Sequence, residues 1–454
     1  MMVNHTKTLS DTQITIPIDS NLEVLLKINK KLYNMPIENL FNMALRKNIK
    51  REFIFVSKII GKHIPVHPDV LKLSGAILAR LWLEEREGII YPDINILVQA
   101  LCYLQDSCYL EGVGSNLDSS KLALIDSALS IIKHPLKLNN KTLFIGFAET
   151  ATGIAQSIFN NFSNAEYIHT TRENIKSIPS SFLFKEEHSH ATDHLLFPKC
   201  SDFFNHFDDI VLIDDELTTG NTALNLIKNL SAKSFGIISI LDWRDDEHIN
   251  MFHELKDLDI RVCSLIKGTI NCIKKGDTNK VDSVIEIAKN STILHKDIIL
   301  KNSMLIEGFH PYTGRFGITS DEQIKLIEDI KDIGNLLKKE RRKGKCLCLG
   351  TGEFIYIPCM ISAELGEKVY FHSTTRSPIF SRNFSDYAIK NKIVFNSIDD
   401  EHILNYLYNI PKDFYEQVFL FTEKPIAGCK KEEFKRIFSS FNIKEIIFVS
   451  WQSL

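Results

Sequence analysis

The stretch Asp208–Leu230, DDIVLIDDELTTGNTALNLIKNL, constrains the fold more than any other part of the chain. Ile210–Ile213 is an uninterrupted apolar run, as a central parallel strand buried on both faces requires. Asp214 and Asp215 follow at its C-terminal end, where open α/β sheets place their ligands. Next comes a loop of small and hydroxyl residues, Thr218, Thr219, Gly220, Asn221 and Thr222, and then a helix that buries Ala223, Leu226, Ile227 and Leu230. Such a loop wraps backbone N–H groups around a phosphate at the positive end of the helix, with threonine hydroxyls as extra donors. Carboxylates beside a phosphate cradle repel the anion and therefore need another task. Hydrogen bonding to the vicinal hydroxyls of a phosphorylated ribose supplies one.

Between Leu143 and Trp243 strand and helix patterns alternate, which implies a parallel sheet covered on both faces. The length of 454 residues suggests two or three domains, at ~150 residues each. With 44% hydrophobic and 24% charged residues, a wholly disordered chain is excluded. A net charge of −3 gives no broad footprint for nucleic acid, so none is expected as a partner. The opening MMVNHTKTLSDTQ lacks the apolar stretch of a secretory signal, and the apolar segment LSGAILARLWL carries Arg80, so neither export nor a membrane span is expected. Nine scattered cysteines without a CxxC pair fit reduced thiols, and a cytoplasmic location is the expectation.

Residues 1–53 read as a helical N-terminal extension, from Leu22, Leu25, Leu26 and Asn29 and then Ile37, Leu40, Phe41, Ala44 and Leu45. Phe53–Val56 reads as a short strand, Pro65 and Pro68 mark a loop, and helical spacing returns over Val70–Glu87 and Ile94–Leu104. After the motif EGFHPYTGRFGI, the charged stretch at about 321–344 reads as a solvated linker helix. A second strand–helix alternation starts at Cys346. No flexible tether separates the halves, so they are expected to pack together.

The two halves also overlay. Gly146/Glu149 matches Gly350/Glu353, and Thr170–Thr171–Arg172 matches Thr374–Thr375–Arg376, both without a gap. Farther on, Gly220 and Trp243 match Gly428 and Trp451 at a second common separation. Strand–glycine turns recur in any parallel sheet, but Thr-Thr-Arg at matched distance favours an internal duplication. The second half lacks the acid pair: Thr422 and Glu423 stand in its place, and Pro425 and Ile426 precede Gly428. No ribose-phosphate site is expected there, whereas an anion pocket around Arg376 is.

The segment DDELTTGNT resembles the signature of the type I phosphoribosyltransferase family, a hydrophobic strand leading into two acids and a Thr-Thr-Gly-x-Thr loop. GFAETATGIAQSI, YIHTTRE, EEHSHATDH, SKIIGKHIPVHP and STTRSPI resemble, more narrowly, a bacterial family of orotate-phosphoribosyltransferase-like proteins associated with tellurium-resistance and stress gene clusters. Its C-terminal region is the TRSP domain, named after a motif found here as Thr375, Arg376, Ser377 and Pro378. The resemblance implies that Asp214 and Asp215 hold the 2′- and 3′-hydroxyls of phosphoribosyl pyrophosphate and that Thr218–Thr222 hold its 5′-phosphate. The loop from Gly146 through Ala148, Glu149 and Thr150 to Gly153 would face pyrophosphate, with Thr171 and Arg172 meeting it from the next strand. Mg²⁺ is the implied cofactor, bound mainly through substrate oxygens and water and touching Asp214 and Asp215.

Other candidates stay open between alternative readings. Glu149 serves the site, or it caps the following helix or faces outward. His188 and His190, in the segment Glu186–His194, belong to a lid or substrate contact, to a metal site, or to a surface loop. Lys58, Lys62, His63 and His67 supply positive charge over the phosphates or lie on a solvated strand edge. Trp243 stacks on a base or packs in the core.

The expectation is therefore an α/β protein: an N-terminal extension (1–53), a phosphoribosyltransferase-like domain (54–295) and a degenerate, related α/β TRSP domain (296–454). Its expected reaction is Mg²⁺-dependent phosphoribosyl transfer to a base-like nitrogen acceptor, or the reverse. A non-catalytic nucleotide or sugar-phosphate sensor, or a scaffold, is the alternative. A homodimer or a multienzyme assembly stays open.

Overall fold

The computed structural model describes residues 12–31, 33, 35–48, 51–107, 118–173, 175, 178, 182–185, 193–384 and 387–453. An eight-stranded sheet runs in the order Thr12–Asp19, Leu22–Lys31, Asp259–Lys274, Ser234–Asp242, Asp209–Leu217, Leu136–Gly146, Phe162–His169, Ile318–Thr319. Its five central strands are parallel, and the strands at both ends are antiparallel. One face packs on the Asn221–Ile227 and Asp246–His253 helices through Leu212, Ile227 and Phe252. The other face lies beneath Pro68–Glu87 and Thr152–Phe159. Coverage on both sides explains why Ile210–Ile213 is apolar without alternation.

Over the described residues between 12 and 53, the helical reading is overturned. Thr12–Asp19 and Leu22–Lys31 form a hairpin added to the sheet edge, and Phe41–Leu45 pairs with Phe53–Ser57. Leu22, Val24, Leu26 and Ile28 are fully buried, a two-residue period along a strand. The spacing Leu22, Leu25, Leu26 satisfies a helical template only because Leu25 and Leu26 are adjacent leucines.

A second sheet, all parallel, runs Leu294–Lys301, Glu445–Gln452, Gln417–Thr422, Cys346–Gly350, Val369–Ser373. Its last four strands repeat, position for position, the order Ser234–Asp242, Asp209–Leu217, Leu136–Gly146, Phe162–His169. Hydrogen bonds repeat as well. Thr170 N–H donates to Gly146 O at 2.9 Å, and Thr374 N–H donates to Gly350 O at 3.1 Å. The Thr170 hydroxyl accepts from Ala148 N–H at 2.8 Å, and that of Thr374 from Gly352 N–H at 3.0 Å. The matched motifs thus sit in matched places, as a duplication requires.

The helix after EGFHPYTGRFGI spans Ser320–Lys338 and starts at a capping box between Thr319 and Glu322. It is not a solvated linker. Leu326, Ile330 and Leu337 are buried, and Gly334 lies so close to Glu364 that a Cβ would stand 2.3 Å from that residue's Cβ. The two halves pack tightly, as the missing tether implied. Thr152 Oγ1 donates to Glu353 O at 3.2 Å across the contact.

Candidate functional site

A cavity of about 480 Å³ opens at the C-terminal ends of the central parallel strands. Asp214 and Asp215 form part of its wall, with Thr218 and Thr222 from the following turn. Asp215 N–H donates to Asp214 Oδ1 at 2.9 Å, which ties the two acids together. Burial pushes the Asp215 carboxyl above its ordinary range, and Glu216 adds to the effect. Thr219, Gly220 and Asn221 do not line the cavity; they shape the turn. Gly220 has φ +78°, and a Cβ there would meet the Phe252 ring at 2.7 Å, so glycine is required on both counts.

The second wall is the turn after Leu136–Gly146. Ala148, Glu149 and Thr150 face the cavity, and the Ala148–Glu149 peptide is cis. Gly146 lies behind them, where a Cβ would be 2.7 Å from that of Ala155. Glu149 neither caps the Thr152–Phe159 helix nor faces outward. Its carboxylate is buried 2.7 Å from the Lys62 ammonium. Burial alone would raise the Glu149 carboxyl, but Lys62, Arg172 and Arg376 hold it below its ordinary range. The same burial lowers Lys62, against the pull of Glu149.

Lys62 and His63 are buried in the cavity wall and not on a solvated edge. His63 brings no positive charge, because burial depresses its pKa to about 3. Lys58 instead donates to Glu38 O at 2.6 Å, and His67 accepts from Asp69 N–H to cap the Pro68–Glu87 helix. Arg172 lines the cavity, while Thr171 turns its hydroxyl to Glu353 Oε2 at 2.5 Å. His188 and His190 lie outside the described residues. Their neighbour His194 does line the cavity, with Nδ1 2.8 Å from Thr170 Oγ1. Among the described residues no group of three or more His, Cys, Asp or Glu side chains is placed to hold a metal.

Trp243 is both core and wall: it is buried, lines the cavity and stacks on Phe55 with centroids 5.1 Å apart. Arg376, with Thr375 and Ser377, does not form a pocket of the second half. All three line the cavity of the first half. The packing of two sheets brings them there, so a motif read within its own half points to the wrong place.

Several wall residues had no role in the sequence reading: Arg46, Arg51, Phe53, Phe55, Ile270 and Cys272. Arg51 pairs with Glu216 at 2.6 Å and lies over the Phe53 ring at 4.5 Å. The alternation Phe53, Phe55 was the available signal, because on a strand both point the same way.

Comparison with known proteins shows the family. A family model described as "Phosphoribosyl transferase" matches residues 40–269, about half the chain, and a model described as "TRSP domain C terminus to PRTase_2" matches residues 312–438. No curated protein matches. Among solved structures, the chain is similar to an adenine phosphoribosyl transferase from Trypanosoma brucei in complex with AMP, pyrophosphate and ribose-5-phosphate. That match has 17% identity and a TM-score of 0.21, and covers 32% of this chain and 68% of the other. No helix among the described residues is long and apolar enough to cross a membrane. The chain belongs to the phosphoribosyl transferase family of enzymes, and its C-terminal part is a TRSP domain.

Proposed function

We propose that the cavity binds phosphoribosyl pyrophosphate and transfers its 5-phosphoribosyl group to a nitrogenous, base-like acceptor, or runs that reaction in reverse. One observation carries the reading: the Asp214–Asp215 pair and Thr218/Thr222 share a single cavity with Arg172 and Arg376. The acids and threonines suit a ribose with its 5′-phosphate. The arginines suit the pyrophosphate.

In the forward direction the bond from C1 to the pyrophosphate oxygen breaks, with its electron pair leaving on pyrophosphate. The acceptor nitrogen then donates its pair to C1 and loses a proton. C1 gains oxocarbenium character between the two events, as in glycosyl transfer. Asp214 and Asp215 orient the ribose through its hydroxyls, and Thr218 and Thr222 anchor its phosphate. Arg172 and Arg376 present fixed positive charge where negative charge grows on the leaving group, and Lys62 offsets the charge of Glu149 beside them. No side-chain nucleophile is needed.

Of the four carboxylates in the wall, Glu149 is paired with Lys62 and Glu216 with Arg51; the Asp214–Asp215 pair would hold Mg²⁺, with its other ligands supplied by substrate and water. Bound there, it supplies charge neutralisation of the leaving group. Phe53, Phe55 and Trp243 offer the flat apolar surface that a base needs.

The test incubates the protein with phosphoribosyl pyrophosphate, Mg²⁺ and a panel of bases and measures pyrophosphate release, beside Asp214→Asn and Asp215→Asn. Release with one base, reduced about a hundredfold or more in either variant, supports the reading. Binding without turnover identifies a sensor, and neither binding nor turnover identifies a scaffold.

A further inference from the structure

The GFHPYTGRFG segment delivers one fully buried cation, Arg315, to the contact between the halves. Its guanidinium grips Glu423 with both arms, Nη1 to Oε1 at 3.0 Å and Nη2 to Oε2 at 3.1 Å. Nη2 also lies 3.5 Å from Glu173 Oε2 and 3.7 Å from Glu353 Oε2. The segment is clamped to the first sheet. His169 N–H donates to Gly314 O at 3.0 Å, and at Gly314, φ +86°, a Cβ would stand 2.2 Å from the Tyr167 ring.

Glu423 occupies the place in the repeat that Asp215 holds in the first half, and Glu353 occupies that of Glu149. Both carboxylates therefore converge on Arg315. Glu353 at the same time accepts the Thr171 hydroxyl at 2.5 Å and Arg172 N–H at 2.8 Å. A chain of contacts thus runs from Glu423 through Arg315 and Glu353 to the backbone of Arg172, whose side chain lines the cavity.

We infer that Arg315 is a positioning residue for the pyrophosphate end of the cavity: by holding the Glu353 carboxylate in place, it sets the Thr171–Arg172 backbone. This rests on the function proposed above. A buried carboxylate stays charged only beside a cation, and only the charged form accepts both bonds at full strength. Glu173, next to the same guanidinium, shows the opposing pressure. Burial, with Glu353 and Glu423 nearby, pushes its carboxyl up to about 8 despite Arg315. Without Arg315 the same pressure acts on Glu353.

The experiment titrates the full chain calorimetrically, in Mg²⁺, with pyrophosphate and separately with ribose 5-phosphate. Wild type, Arg315→Met, Arg315→Lys and Glu353→Gln are compared. Arg315→Met is expected to weaken pyrophosphate binding about tenfold or more, with ribose 5-phosphate held within about twofold. Arg315→Lys is expected to recover part of the loss. Equal weakening of both ligands, or no weakening, overturns the inference. Glu353→Gln keeps the side-chain shape and carries the same comparison if Arg315→Met does not fold. A wild type that binds neither ligand overturns the proposed function itself, which separates the two failures.

Discussion

The Lys62 ammonium lies 2.7 Å from the Glu149 carboxylate, and neither side chain is more than 6% exposed. Lys62 follows the Phe53–Ser57 strand, and Glu149 lies in the turn after Leu136–Gly146, so one ion pair joins two walls of the cavity. Removing one partner strands the other in a low-dielectric site. Lys62→Met is expected to lower stability by about 3–5 kcal/mol, and Lys62→Met/Glu149→Gln to cost less than the two single changes summed. Urea unfolding of the four proteins checks this; strict additivity would refute it.

Arg376 reaches the cavity from the TRSP domain, and its guanidinium helps keep Glu149 ionised. Arg376→Met is expected to weaken pyrophosphate affinity about ten- to a hundredfold, the loss of one charge-assisted contact. Arg172→Met is expected to do the same, and ribose 5-phosphate affinity is expected to hold in both. Competition binding checks it. An Arg376→Met protein with wild-type pyrophosphate affinity would remove the TRSP domain from the site.

Gly153 faces Ile355 across the contact of the Thr152–Phe159 and Tyr356–Glu364 helices, and a Cβ there would meet Ile355 Cγ2 at 2.5 Å. Gly153→Val forces the halves apart. An expected loss of about 1–3 kcal/mol is measured as a lowered unfolding midpoint.

Four buried histidines set an acid limit. Burial depresses His63 and His310 to about 3, and His169 and His372 to about 4, from an ordinary 6.5. Below pH 6.5 the unfolded chain takes up protons that the folded chain refuses. Stability is therefore complete above 6.5 and falls as the pH drops toward 4, by at most about 1.4 kcal/mol per pH unit for each histidine. Urea midpoints at pH 7.5 and 5 measure it, and equal midpoints would contradict it.

What was legible in the sequence was local. The apolar run Ile210–Ile213, the acids after it and Gly220 in its left-handed turn report sterics and solvation that neighbouring residues settle among themselves. The Thr-Thr-Arg repeat was legible because each copy makes the same hydrogen bonds within its own sheet. The hairpin of Leu22–Lys31 was misread because two adjacent leucines satisfy both periods. Only pairing with Asp259–Lys274 selects the strand.

Taken alone, the sequence determined a parallel-sheet domain with an acid pair and a threonine–glycine turn after its central strand, and a second copy of the same layout without the acid pair. The tertiary structure decided that the two copies share one cavity. It brought Arg376 to the acid pair, buried Lys62 against Glu149, and drew Glu353 and Glu423 onto Arg315. The reason is physical. A turn or a strand is chosen by interactions a few residues apart, whereas a buried charge finds its partner only when distant segments pack and exclude water, and the chain between them does not encode that distance.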